Sequence, residues 1–451
     1  MAFIMPFRGI RYDTAKVGNI EDVVSPPYDV ISPEFQEELY LRHPNNIVRL
    51  ILGKTNPGDA PGRDRYSRAA EYFGRWQKDA VLIRDEAPSI YYYIQGYKFG
   101  KREKTRKGFI ALLRLEEFGK GSIYPHEKTL SGPKADRLNL MKACSANLCP
   151  VFSLYPESPE EKGRITGFLF DAGRGDPLMD VKGGDGVANK LWRIDNPEVI
   201  KKVTDSMRDK KLFIADGHHR YETALNYRNL MTQALKNPMK NPTGEEPFNY
   251  VMMYFASMDD EGLEIFPTHR VAHSLSEFKK EGFLKECGRY FSIEESVFDK
   301  GSEASVRDEF ARKLCGAVGD TVRFGLVMKG VNAYYLLTLK GRGVMDGLFP
   351  DMAGVYKTLD VTVLHSVVLT KILGISPCAQ EKQENLLYVK DINEAVEKVR
   401  SGKGQLAFLM NPTKVEDVKR VCEAGLLMPQ KSTYFYPKLL SGLVINPLWD
   451  I

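Results

Sequence analysis

The 451-residue chain lacks the signatures that would assign it at a glance. Its six cysteines (Cys144, Cys149, Cys287, Cys315, Cys378, Cys422) are scattered and form no C-x-x-C pair, so neither a zinc knuckle nor a disulfide framework is indicated. No G-x-G-x-x-G or G-x-x-x-x-G-K-[ST] register occurs; even the glycine-rich stretch Arg164 to Gly186 reads as turns rather than as a nucleotide loop. No run reaches the roughly 20 apolar residues of a membrane helix, so no membrane partner is expected. The opening MAFIMPFRGIRYD has no secretory apolar core, and a reducing cytoplasm is the expected location. Charge of one sign is also missing: 64 basic residues against 59 acidic leave +5, too little for the basic stripe of a nucleic-acid binder. The densest basic run, KFGKREKTRK at 98–107, is expected to be a solvated hairpin connection. No internal repeat is present.

What remains is an ordinary folded composition, 43% hydrophobic and 27% charged. At roughly 100 to 200 residues per domain the length suits two or three domains. A change of texture near residue 275 divides the chain into 1–275 and 276–451. DVVSPPYDVISP (22–33) is expected as an extended loop, because proline fixes its own torsion and biases its predecessor away from helix. Helices are expected from Glu34 to His43 and Arg63 to Lys78, a strand over Asn46 to Leu52, and a hairpin from the runs SIYYYIQGYKF and GFIALLRL. Ile123 to Leu130 reads as a polar loop, Asn237 to Pro247 as a mobile one, and Pro267 to Arg270 as the end of a strand. In the second half, TVRFGLVMKG and AYYLLTLKG are expected as a hairpin and Asp391 to Ser401 as a helix.

The clearest grammar lies at 196–235. Asn196-Pro197-Glu198 supplies an N-cap and a first-turn proline, Val199 to Met207 continues a helix, and LFIA (212–215) is a buried-strand run. An amphipathic helix follows from Tyr221 to Leu235. Between strand and helix stand Asp216, Gly217, His218, His219 and Arg220. A helix N-terminus offers backbone N–H groups and about half a positive charge to an anion. Gly217 lets a phosphate approach, Arg220 offers a planar fork, and His218 and His219 add donors. Asp216 at the strand end can orient an imidazole or hold magnesium. The structural alternative is that Asp216 caps the helix and Arg220 pairs with Glu222 or another acid.

The string IADGHHRYETAL resembles the phosphate-binding box of the ParB/sulfiredoxin-like superfamily, and its wording is closest to the D-G-H-H-R box of archaeal free-serine kinases. With VVSPPYDVIS, YPHEKT, GPKADRL, PTHR and KSTYFYPKLLSG, nearly the whole chain resembles the domain-of-unknown-function 1015 family. The resemblance implies an α+β protein: a ParB/sulfiredoxin-like mixed-sheet domain with inserted elements, followed by a C-terminal α/β domain. It implies nucleotide phosphates on Gly217 to Arg220, with ATP or ADP and Mg2+ as cofactors. Sulfiredoxins carry a cysteine where His218 stands, which sets their reductase chemistry aside, and no helix-turn-helix of the ParB type follows.

In the serine-kinase branch the glutamate of a Pro-His-Glu string accepts the substrate hydroxyl's proton. Pro125-His126-Glu127 matches that string, so the resemblance implies Glu127 as general base; Asp216, from its place at the strand end, is the second catalytic candidate. Phosphoryl transfer demands positioned positive charge, for which Lys134, Arg137, His269 and Arg270 are the candidates, with His126 and Lys431 as further supporting residues. Lys438 and Tyr434 enter through the C-terminal string alone. The expected function is a nucleotide-dependent phosphotransferase on a small hydroxyl metabolite, possibly free serine. The alternatives are a non-catalytic nucleotide-binding regulatory module, and a phosphatase or nucleotide hydrolase using the same cradle. The resident metal and the oligomeric state are not legible.

Overall fold

Nine strands of one mixed sheet organise the first of two units into which the chain divides. The computed structural model describes residues 1–129, 131–235, 243–276, 278–299, 301–316 and 321–449. The first unit comprises Met1–Pro125, Thr129–Glu264 and Pro437–Ile451; the second comprises His126–Lys128 and Ile265–Tyr436. Both contain helices and sheet, so the protein is of mixed α+β class, with further two-stranded sheets beside the large ones.

In the first unit the strands are β1 (Ile4–Met5), β2 (Ile90–Phe99), β3 (Arg102–Arg114), β4 (Ile123–Tyr124), β5 (Val151–Tyr155), β6 (Met179–Lys182), β7 (Ala188–Ile194), β8 (Leu212–Asp216) and β9 (Tyr250–Ser257). Their order is β4-β8-β5-β9-β3-β2-β7-β6, with β1 alongside β3. β8 runs parallel to β4 and antiparallel to β5, while β9 runs parallel to β5 and antiparallel to β3. All eight residues of β9 are buried, as its continuous apolar run requires of a central strand. Alternation sorts β2 between faces: Ile90 and Tyr92 enter the main core, whereas the hydroxyls of Tyr91 and Tyr93 bond Asp85 (2.8 Å) and Asn189 (2.6 Å).

The helices flanking this sheet obey their termini. Pro33–Arg42 (α1) is capped by Ser32, and Arg65–Lys78 (α2) by a reciprocal Asp64/Ser67 box. Ser131–Cys144 (α3) and Arg164–Ala172 (α4) follow; Pro197–Met207 (α5) is capped by the Asn196 side chain, and His218–Leu235 (α6) completes the set.

Several expectations need correction. Asn46 to Leu52 is not a strand: Val48–Ile51 forms one helical turn, with Val48, Leu50 and Ile51 buried. A short apolar run with burial all round has no periodicity to separate the two. The basic run at 98–107 is mostly strand, since Lys98↔Glu103 and Phe99↔Arg102 already pair and only Gly100 and Lys101 make the turn; Arg106 within it is fully buried. Arg164 to Gly186 holds α4 and β6 rather than turns alone. Ile123 and Tyr124 are strand rather than loop, and Leu130 lies outside the described residues, as do 236–242 of the proline-rich stretch. The segment at Pro267 to Arg270 opens a strand instead of closing one.

The second unit is built on a six-stranded sheet. Its strands are β10 (His269–Ala272), β11 (Phe291–Val297), β12 (Arg323–Met328), β13 (Ala333–Leu339), β14 (Leu386–Val389) and β15 (Leu406–Leu409), in the order β11-β13-β12-β15-β10-β14. The expected hairpin is β12 with β13, and the expected helix spans Ile392–Arg400, capped by Asp391. Strand alternation feeds two cores: Phe324, Leu326, Tyr335 and Leu337 enter one, Val327, Tyr334 and Leu336 the other.

Candidate functional site

The corner between β8 and α6 is shaped by a bulge and a glycine. Register slips between Ile214 and Asp216 against β5, and such a bulge re-aims the next side chain. Gly217 follows at φ +89°. A Cβ there would stand 2.8 Å from Arg220 Nε and 2.9 Å from its Cζ, so glycine is required both by the torsion and by the guanidinium lying against it. Helix α6 opens at His218, earlier than the periodicity implies, and Tyr221 N–H donates to the Gly217 carbonyl (3.0 Å). The His-His-Arg string therefore occupies the first turn, where backbone N–H groups have no acceptor within the helix. His218 is buried and His219 half-buried.

Asp216 binds two cations. Lys438 Nζ reaches its Oδ1, and Arg220 Nη2 its Oδ2 at 2.5 Å; all three side chains are only 12–16% exposed. Burial alone would raise the Asp216 carboxyl, but Lys438 and Arg220 outweigh it and hold it well below the usual carboxylate range. Arg220 Nη1 donates to the Pro150 carbonyl. Arg220 thus pairs with the acid of its own loop, while Glu222 is taken by Lys134 (2.7 Å) and Thr129 (2.8 Å). The segment delivering Lys438 is anchored by Arg106, whose Nη2 donates to the Pro437 carbonyl at 2.6 Å and whose guanidinium lies 4.6 Å from the Phe152 ring centre. The Gln95 amide secures the next carbonyl, that of Lys438, at 3.0 Å.

Three strings far apart in sequence meet beside this corner. Arg137 of α3 lies 3.9 Å over the Tyr28 ring and donates to the Ile51 carbonyl (2.7 Å) and to Asp136 (2.7 Å through Nε). Burial pushes the Tyr28 hydroxyl up to about 12, against the pull of Arg137 and Arg220. Cys149 Sγ is 3.0 Å from Ser441 Oγ, and burial raises this thiol too. Tyr28, Arg137, Cys149, Arg220 and Thr223 line a cavity of about 40 Å3, room for about one water. Thr223 Oγ1 is buried with no hydrogen-bond partner among the described residues.

The other candidates belong to the second unit. His126 is buried, with Nε2 2.8 Å from Thr433 Oγ1, and its carbonyl accepts from Met428 N–H (2.6 Å). Glu127 makes a parallel bridge with Met428. Arg270 is buried, donates to the carbonyls of Thr268 and Lys431, and lies 5.4 Å from the Tyr388 ring centre. Burial lowers its guanidinium to about 10, with Tyr388 and Glu127 opposing. His269 Nδ1 accepts from Met410 N–H (3.0 Å), and burial followed by Arg270 lowers it to about 4. Lys431 contributes its carbonyl from a positive-φ position, φ +58°.

Asp216, Gly217, Arg220 and Arg137 thus converge in the first unit, while Glu127, His126, His269, Arg270 and Lys431 belong to the second. Lys438 was signalled only by KSTYFYPKLLSG, and Tyr28 only by VVSPPYDVIS; Arg106 had no signal beyond a basic run. Among the described residues no three His, Cys, Asp or Glu side chains cluster to hold a metal ion. None of the described helices is long and apolar enough to cross a membrane.

The corner is thus a strand, a bulge, a glycine and a helix start in a mixed α+β unit, with Lys438 and Arg220 gathered on one carboxylate. The family model described as "Protein of unknown function (DUF1015)" matches residues 4–362, and the chain belongs to that family. A search of the curated proteins finds no match. Among solved structures, the chain is similar to a conserved hypothetical protein from Pyrococcus furiosus at 14% identity and TM-score 0.30, covering 70% of this chain and 87% of that one. It is similar to a free serine kinase mutant in complex with ADP at 13% identity and TM-score 0.30, covering 70% and 84%. SbnI with a C-terminal truncation, from Staphylococcus aureus, gives 10% identity and TM-score 0.32, covering 72% and 84%.

Proposed function

We propose that the first unit carries a ParB/sulfiredoxin-like nucleotide site, and that the protein is a nucleotide-dependent phosphotransferase acting on a small hydroxyl metabolite, with free serine the leading candidate. The observation that carries this reading is the opening of α6: Gly217 at φ +89° turns the chain into the helix, and Lys438 and Arg220 both lie against Asp216 where the helix presents its first N–H groups. The D-G-H-H-R wording supports the same reading. Gly217 to Arg220 would receive the phosphates of ATP or ADP, and Lys438 would supply a point charge beside them. Bound nucleotide would supply the transferable phosphoryl group. Mg2+ fits less well, because Asp216 is already neutralised from two sides, and no step is assigned to it.

The test is incubation of the purified chain with ATP or ADP, magnesium and serine, scored by phosphoserine. Formation of phosphoserine that disappears in Glu127→Gln supports the role the resemblance gives Glu127. No transfer to serine or to any of a panel of hydroxyl compounds overturns the reading. One observation favours the regulatory alternative: the Arg220 fork is committed to Asp216 and Pro150, as a brace would be. That alternative predicts nucleotide affinity lost in Lys438→Met and no phosphorylated product.

A further inference from the structure

The second unit contains a pocket lined by residues other than those assigned to the proposed transfer. Its volume of about 440 Å3 falls in the range of small-molecule sites. One wall is a π-helix, Leu364–Ile372, which continues the short helix Asp360–Val363. π geometry is rare and recurs at functional positions. Phe349, Met352, Leu427 and Met428 make the lining largely apolar, and its two charged side chains, Lys128 and Glu381, are solvent-exposed.

Two polar atoms of this lining are buried with no hydrogen-bond partner among the described residues: His365 Nε2 and Thr362 Oγ1. Their residues are three apart on the helix and so share a face. The hydrogen-bond pattern decides which tautomer His365 adopts. Gln380 Nε2 donates to the Ile375 carbonyl (2.8 Å) and to Thr370 Oγ1 (2.9 Å). A carbonyl can only accept, so that amide atom is nitrogen, and Gln380 Oε1, 2.8 Å from His365 Nδ1, must be the acceptor. The ring proton therefore sits on Nδ1, and Nε2 offers a bare lone pair. Burial, with Arg270 second, lowers the imidazole to about 3, which keeps it neutral. Carboxylate and phosphate ligands would meet that lone pair with repulsion, and a bare ammonium would lose its hydration to apolar walls. A metal ion would need further ligands, and no such cluster exists among the described residues.

We infer that this pocket binds an uncharged, largely apolar molecule through a hydroxyl that donates to His365 Nε2 and accepts from Thr362 Oγ1. One hydroxyl satisfies both orphaned atoms, which is the economy that selects this class over an ether, a ketone or a hydrocarbon. The inference stands independently of the phosphotransfer reading.

Matched probes test it on the full chain by calorimetry: 1-naphthol, naphthalene and 1-naphthoate share an aromatic body and differ in the group presented. The expected result is 1-naphthol binding at least ten-fold tighter than either of the others. His365→Phe erases that preference, and the near-isosteric Thr362→Val reduces it several-fold while keeping the wall intact. Gln380→Glu places a carboxylate against the Nδ1 proton, favours the imidazolium and turns Nε2 into a donor, so preference swings toward 1-naphthoate. Equal affinity for naphthol and naphthalene, as if Nε2 merely held a water, overturns the inference. So does failure of all three to bind, or a Gln380→Glu variant that keeps the wild-type preference.

Discussion

Asp216 in the first unit and the buried histidines and Asp360 in the second resolve their ionisation in opposite ways. In the first, Asp216 keeps its charge because Lys438 and Arg220 lie against it. In the second, two histidines give their charge up and a carboxyl is pushed toward neutrality, while Arg270 keeps its charge at about 10: His365 and His269 fall to about 3 and about 4, and Asp360 rises to about 7, each chiefly by burial. The difference follows from what chain is at hand. The β8–α6 corner receives a lysine from the C-terminal return, whereas His365 faces a glutamine and an apolar wall. Charge compensated at close range suits the handling of an anion; charge suppressed suits a neutral ligand.

The comparison breaks most sharply at Asp216. Asp216→Ala removes the buried carboxylate that Lys438 and Arg220 share, and the expected cost is about 3 to 5 kcal/mol in urea unfolding. A loss below about 1 kcal/mol would mean that the corner is hydrated and the contrast false. Next is Asp360→Asn. A carboxyl raised to about 7 in the fold from 3.8 contributes stability below about pH 4 that is lost as pH rises through 7. The histidines have the opposite sign, their contribution present above 6.5 and lost as pH falls toward their folded values. Removing Asp360 leaves the histidines unopposed, so between pH 7 and pH 5 the variant should lose about 2 kcal/mol more than the parent. Equal pH profiles would show that Asp360 is charged in the fold.

Gly217→Ala comes third, at about 1 to 2 kcal/mol, from a positive φ that a side chain resists and a Cβ driven against Arg220. A crystal structure of the variant should show the guanidinium displaced from Asp216; an undisturbed pair would refute the packing account. Smallest is Lys134→Met. Its pair with Glu222 is about a quarter exposed on both sides, and a loss of about 0.5 kcal/mol is expected by thermal unfolding. A loss as large as that of Asp216→Ala would place Lys134 in the buried network instead.

Legibility from sequence varied with how local the determining physics is. Helix α5 was readable because Asn196 and Pro197 are chemical instructions for a helix start, and the hairpin β2–β3 because its aromatic runs flank a glycine turn. The run at 46–52 was misread because a buried single turn and a buried strand have the same composition. At the site, Asp216, Gly217 and Arg220 were legible as one string. Lys438, Arg106 and Tyr28 were not, since each acts through a partner more than a hundred positions away or across another element. His365 carried no signal, because its meaning depends on which atom of Gln380 it faces.

By itself the chain's order of residues determined the caps, the alternation of its strands, the strand-glycine-helix corner and the membership implied by its strings, all of which depend on neighbours within a few positions. Only the tertiary structure decided that residues 437–451 belong with the first unit, that Lys438 meets Asp216, and that His365 presents a lone pair to a pocket. The physical reason is that charge state and hydrogen-bond polarity inside a protein are set by whatever groups the fold brings within a few ångströms, and the spacing of letters along the chain does not encode that distance.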